Sequence, residues 1–180
     1  IVIEKFIEKL GLKDIILWGH SNGGAISIKI VNNKKINISR LILNNSAGIR
    51  NDKKRSLKRK TIGLLIKPFK ILKNIPGFHK IREYFYRAIG GQDYLNAEKN
   101  PYLKQTYLNM ISSDLSNDLD KINLNTLLIW GREDKYTPLS DGLKMRNNIK
   151  KAKIVILDNE KHGIHINSPE KLVNTFLNNI

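Results

Sequence analysis

The sequence predicts an α/β fold, a parallel sheet flanked by helices and interrupted by a helical insertion. Three observations lead there. Four apolar runs of strand length recur, and helix-patterned segments follow most of them. The first complete run, Ile15-Ile16-Leu17-Trp18, enters Gly19-His20-Ser21-Asn22-Gly23-Gly24 and then a second helix-like stretch, the sequence of a sharp strand–turn–helix. Between the second and third runs lies a long basic segment that is helical in pattern and poor in strand signals.

Taken in order, residues 1–10 read as an amphipathic helix carrying Glu4, Lys5, Glu8 and Lys9, and Gly11 ends it. Residues 14–18 read as a buried strand. Gly19 and Gly23 flank the turn, where a Cβ is expected to collide with neighbouring backbone. Residues 25–31 form the following helix, Asn32-Asn33-Lys34-Lys35 breaks it, and residues 40–44 supply a second strand. Asn45-Ser46-Ala47-Gly48 then opens the insertion, punctuated by Pro68, Pro76-Gly77, Gly90-Gly91 and Pro101. Residues 126–131 and 154–157 restore buried strands, with helices over 139–149 and 168–179. The expected division is 1–48 and 122–180 for the two parts of the core, and 49–121 for the insertion.

Composition narrows the function classes. At 180 residues the chain is long enough for one sizeable core. It lacks the unbroken apolar stretch of about eighteen residues that a spanning helix needs. With no cysteine, a disulfide framework and a thiolate zinc site are both excluded. That fits a cytoplasmic location, and no secretory signal is visible. The net charge of +16 concentrates in Arg50, Lys53, Lys54, Arg55, Lys58, Arg59, Lys60, Lys67, Lys70, Lys73, Lys80 and Arg82. Lys, Asn and Ile are abundant throughout, and no aromatic-interleaved ribbon accompanies the charge. It reads as solvated surface, and no nucleic-acid partner is expected.

Ser21 sits at the apex of the turn with its hydroxyl exposed, and the Asn22 backbone N–H opens the helix beside it. A serine hydroxyl is a poor nucleophile at neutral pH. It needs a general base, and the base needs an orienting carboxylate. The histidines are His20, His79, His162 and His165. His20 adjoins Ser21, but the turn is expected to aim it elsewhere. His79 lies in the insertion, where packing is the default role. His162 and His165 follow the last strand, on the sheet edge that Ser21 shares. The carboxylate is best sought in Gly131-Arg132-Glu133-Asp134-Lys135-Tyr136-Thr137-Pro138, after the third strand. Asp134 ranks ahead of Glu133, and Asp141 is last because it falls inside the next helix. The order Ser…Asp…His, each member following its own parallel strand, is the order associated with this kind of elbow.

On these motifs the chain resembles the α/β-hydrolase fold family over essentially its whole length. Gly19–Gly24 matches the elbow, and Leu128-Ile129-Trp130-Gly131-Arg132-Glu133-Asp134 matches the acid-bearing strand and loop. His162-Gly163-Ile164-His165-Ile166-Asn167-Ser168-Pro169-Glu170 matches the histidine loop, with the base seven residues before the proline. That register selects His162 as base and leaves His165 packed beside the site. Leu43–Ile49 resembles the lead into the family's helical cap, which makes 49–121 the cap. The resemblance implies the C-terminal strands of the family's sheet and a serine hydrolase acting on a carboxylic ester or related acyl or C–C bond. Its site would be Ser21, Asp134 and His162, with the Asn22 N–H as one oxyanion donor and no cofactor or metal. Relatives that cleave haloalkanes or epoxides carry aspartate at the elbow tip, so Ser21 points away from them. The pair His162-x-x-His165 lacks the glutamate of a His-Glu-x-x-His zinc motif.

Whole family members carry further strands before the elbow, one of which supplies a second oxyanion N–H. The chain therefore reads as an N-terminally truncated fragment with an exposed apolar strand edge, expected to be poorly soluble or inactive alone. Cap residues such as Leu64, Leu65, Phe69, Phe78, Tyr84 and Phe85 are candidates for lining the substrate pocket. The alternative function is a non-catalytic binding protein on the same scaffold, docking to an anionic membrane through residues 62–70. Substrate identity, ester against C–C cleavage and oligomeric state are not legible from the sequence.

Overall fold

The computed structural model describes residues 2–50, 78–88 and 92–180. The expectations for Leu64, Leu65, Phe69, the 62–70 stretch and the Phe85 side chain fall outside the described residues. The chain separates into two compact units, residues 1–49 with 114–180, and residues 50–113.

The first unit holds a sheet of four parallel strands, β1 (Ile15–His20), β2 (Ile38–Asn44), β3 (Thr126–Gly131) and β4 (Ala152–Leu157), in the order β1-β2-β3-β4. The parallel α/β class read from the sequence is the one observed. Helix α1 (Val2–Lys9) precedes β1, and α2 (Asn22–Asn33) links β1 to β2. Burial follows the twofold side-chain period of strands. Leu41, Leu43, Leu128 and Trp130 enter one core with Ile28, Met145 and Ile149, whereas Ile42, Leu127 and Ile129 enter a second with Ile164 and Leu172. All six residues of β3 are buried, as an interior strand covered on both faces requires. Leu115, Leu119 and Ile122 join the first core, packing the chain just before β3 against the sheet.

β1 differs from the buried strand that its apolar run suggests. It stands at the end of the strand order, and Ile16 and Trp18 on one of its faces are 45% and 37% exposed. Trp18 is covered in part by the Phe176 ring, whose centroid lies 4.9 Å away.

The second unit contains α3 (Phe78–Ala88), α4 (Gln92–Glu98) and α5 (Pro101–Ser112). Asn100 caps α5 through its side-chain oxygen, which accepts from the N–H groups of Tyr102 and Leu103, and Pro101 takes the first helical position. Tyr86 is buried and stacks on Tyr94 at 5.5 Å between centroids, with Tyr107 edge-on to Tyr94. Tyr84 is 78% exposed.

In the first unit, α6 (Leu139–Asn148) lies between β3 and β4, and α7 (Ile164–Asn167) and α8 (Pro169–Leu177) follow β4. Because the strands are parallel, the segments after β1, β2, β3 and β4 gather at one edge of the sheet, where open parallel sheets place their ligands.

Candidate functional site

Ser21 occupies the turn between β1 and α2 with φ 51° and ψ −120°. That conformation costs a non-glycine residue on the order of 1–3 kcal/mol. It persists because both of its peptide groups are held. The Ser21 N–H donates to the Asn44 carbonyl, and the Ser21 carbonyl accepts from Gly24 and Ala47 N–H groups. Close approach does the rest. A Cβ on Gly19 would lie 2.6 Å from Gly24 Cα, and one on Gly24 would lie 2.0 Å from Ser46 Oγ. Gly23 is a correction to the sequence reading, since a Cβ there meets nothing within 4 Å. The spatial demand falls on Gly24, not on Gly23.

Asp134 lies in the loop after β3 and its side chain is fully buried. One oxygen accepts from the N–H groups of Tyr136 (2.7 Å) and Thr137 (3.0 Å), and the other from the Thr137 hydroxyl at 2.7 Å. These residues at i+2 and i+3 make an Asx turn that closes the loop on its own carboxylate. The Trp130 indole N–H secures it further by donating to the Thr137 carbonyl. Burial alone pushes the Asp134 carboxyl up. Hydrogen bonds from His162 and Thr137 outweigh it and hold the group below the ordinary aspartate value.

His162 follows β4 and spans the other two. Its Nδ1 is 2.7 Å from Asp134 Oδ2, and its Nε2 is 3.0 Å from Ser21 Oγ. A carboxylate can only accept, so Nδ1 carries the proton and Nε2 offers its lone pair to the Ser21 hydroxyl. Gly131 allows the acid and histidine loops to meet, because a Cβ on it would lie 2.5 Å from the Glu160 carbonyl oxygen. Two ties hold them there. The Glu133 N–H donates to Glu160 O at 2.9 Å, and Arg132 pairs with Asp158.

The alternatives separate clearly. Glu133 is exposed, Asp141 is buried within α6, and His79 is exposed on α3 in the second unit. The Asn22 N–H belongs to the first turn of α2, whose leading N–H groups have no acceptor within the helix. His165 is exposed and packs its ring 4.2 Å from that of His20.

His20 departs from expectation. The turn does not carry it away from the site. Its ring centroid lies 4.7 Å from that of His162, and its Nδ1 donates to the Asn44 carbonyl at 3.0 Å. Burial chiefly, with the neighbouring His162 and His165, brings its pKa down to about 4. The ring is therefore neutral at pH 7. Nothing in the sequence marks Tyr136, which is 78% exposed with its ring 5.2 Å from that of His162. Among the described residues no group of three or more His, Cys, Asp or Glu side chains could hold a metal ion.

Comparison with known proteins decides the family. Residues 1–169 match the family model described as serine aminopeptidase, S33. The chain belongs to this α/β-hydrolase family. The hydrolase is 24% identical over 191 residues to the AB hydrolase superfamily protein YisY of Bacillus subtilis (strain 168). That alignment covers 94% of this chain and 68% of the relative. A 2-hydroxy-6-oxononadienedioate/2-hydroxy-6-oxononatrienedioate hydrolase of Comamonas testosteroni is 24% identical over 98% of this chain and 67% of its own length. Among solved structures, an esterase from Exiguobacterium antarcticum superposes with a TM-score of 0.70 at 23% identity, covering 98% of this chain and 70% of that one. The hydrolase thus spans about two thirds of the length of the relatives it matches. Among its described residues no helix is long and apolar enough to cross a membrane.

Proposed function

We propose that this α/β hydrolase cleaves a carboxylic ester, or a related acyl or C–C bond, through an acyl-enzyme on Ser21. The observation that carries the reading is the hydrogen-bonded line from buried Asp134 through His162 to a serine held at φ 51°.

In the first half-reaction His162 Nε2 takes the Ser21 proton as Oγ bonds to the substrate carbonyl carbon. The carbonyl π pair moves onto oxygen, and the Asn22 N–H donates to that oxyanion. One such donor supplies on the order of 3 kcal/mol of transition-state stabilisation. Asp134 keeps the imidazole in the tautomer that can accept and stabilises the imidazolium. When the tetrahedral centre collapses, the bond to the leaving group breaks and His162 delivers its proton there, to oxygen for an ester or to carbon for C–C cleavage. In the second half-reaction water attacks the acyl carbon and gives its proton to His162. The C–Oγ bond breaks, and the proton returns to Ser21 as the acid departs.

Two relatives guide the choice of substrate. The Comamonas relative is by name a dienedioate hydrolase, and the Exiguobacterium structure is an esterase. Both chemistries place a carbonyl carbon at a serine, so both belong in the test. The proposal also assigns 49–121 as the substrate-shaping cap of a cytoplasmic enzyme. A panel of short and long acyl esters and vinylogous 1,5-diketones is the experiment. Turnover of one class that disappears in Ser21→Ala supports the reading, and turnover that survives the substitution overturns it.

A further inference from the structure

Resting on that reading, we infer that Asn45 is a positioning residue of the hydrolase. It would set the height of His162 between Ser21 and Asp134 without touching substrate. Asn45 follows β2, is wholly buried, and adopts φ 43°, a left-handed conformation that asparagine tolerates better than most residues. Every polar group it owns is committed. Its backbone N–H donates to Ile129 O at 3.0 Å, and its carbonyl lies 2.9 Å from the Thr137 hydroxyl, whose single proton it shares with Asp134 Oδ2. Its side-chain Nδ2 donates to Lys161 O and to His162 O, at 2.9 and 3.0 Å. Its Oδ1 accepts from the Gly131 N–H at 2.9 Å.

The residue type follows from these partners. Two carbonyls that can only accept face Nδ2, and an N–H that can only donate faces Oδ1, so the amide orientation is determined. Aspartate has no donor for the carbonyls, and leucine has neither group. One side chain thereby fixes the main chain at His162 and at Gly131, three residues before Asp134. Thr137, whose hydroxyl donates to Asp134 Oδ2, also sits against the Asn45 carbonyl oxygen at 2.9 Å. Neighbouring Asn44 and Ala47 hold the Ser21 peptide groups. The segment 44–47 therefore touches all three loops of the site. Asn45 adds a buried side-chain link between the acid loop and the histidine loop, beside the ties made by Glu133 and Arg132. A displacement of about 1 Å in such a line costs on the order of 100-fold in rate.

The experiment counts active serines by stoichiometric titration with a fluorophosphonate and measures turnover per titrated site with the best ester. Asn45→Gly keeps the left-handed backbone and removes only the three side-chain bonds. Asn45→Asp keeps the acceptor for Gly131 and sets a carboxylate oxygen against the two histidine-loop carbonyls in place of their donor. The expected result is turnover per titrated site lower by about 10- to 100-fold in both, with KM within about twofold of wild type. Wild-type turnover per site, with merely fewer sites or a lower melting temperature, would make Asn45 a folding residue and overturn the inference. So would failure of both variants to yield any titratable serine. A wild-type protein in which no serine titrates overturns the hydrolase mechanism itself, and that failure is distinct from the others.

Discussion

His162 Nε2 stands 3.0 Å from Ser21 Oγ, although 141 residues separate the two in sequence. Parallel strands bring them together. Each belongs to a segment leaving the same sheet edge, and the intervening acid loop reaches His162 from the other side. The geometry leaves the imidazole one basic nitrogen, directed at a hydroxyl whose backbone is strained. Replacing Asp134 by Asn should preserve the shape and remove the charge that fixes the tautomer. Ester turnover is expected to fall by about 10⁴-fold with little change in KM, as steady-state kinetics would register.

Thr137 donates to a fully buried carboxylate, so its loss should appear in acid stability. The Asp134 carboxyl is held below its ordinary value in the fold. Its contribution is then fully present above the unfolded aspartate range and is lost as pH falls through the folded value. Thr137→Val removes one of the holding bonds and lets the carboxyl titrate higher. Tryptophan fluorescence during acid titration should place the onset of unfolding at a higher pH in the variant, with about 1–2 kcal/mol lost at pH 7. Coincident acid transitions would show that the hydroxyl contributes nothing to the carboxylate.

His20 predicts a slope of opposite origin. Its folded pKa of about 4 lies below that of a free imidazole. Between pH 4 and 6.5 the unfolded chain therefore binds more protons at this residue than the fold does, and stability rises with pH. The groups around His20 are the His162 and His165 rings, Asp134 and the Asn44 carbonyl. Urea unfolding at a series of pH values should give a flatter slope for His20→Gln than for wild type. Identical slopes would mean that His20 is not held neutral.

The two adjacent glycines of the elbow offer a paired test. Gly23→Ala meets no atom within 4 Å and should change stability by less than about 1 kcal/mol, in the direction of stabilisation. Gly24→Ala drives a methyl into Ser46 and should cost about 1–3 kcal/mol, together with much of the activity as the Ser21 turn shifts. Thermal melts of both variants separate them, and equal melting temperatures would contradict the packing described for the elbow.

The strands and the three site loops were legible because they rest on local signals. β3 is an unbroken apolar run and proved buried on both faces. The elbow has glycines at fixed offsets. The Asp134 loop follows a buried strand and stands just before Thr137-Pro138, where the chain turns into the next helix. What the sequence hid depends on which residues meet across the fold. Gly23 and Gly24 look alike until Ser46 is seen to press on one of them. His20 is beside Ser21 in sequence, but its contact with His162 exists only once β4 has delivered the histidine loop. Asn45 reads as an ordinary polar residue in a turn, since the hydrogen-bond partners described for it all lie more than eighty residues away. The apolar run alone makes Ile16 and Trp18 look buried, and only the resemblance leads to an exposed edge on β1, because exposure at the end of a sheet is a property of strand order.

Covalent capture decides whether Ser21 is a nucleophile that His162 activates. The protein is treated with a fluorophosphonate, digested, and the adduct located by tandem mass spectrometry. A single adduct is expected on Ser21 and should be lost in His162→Ala. An adduct on a different residue, or none under conditions that label a control serine hydrolase, would contradict it.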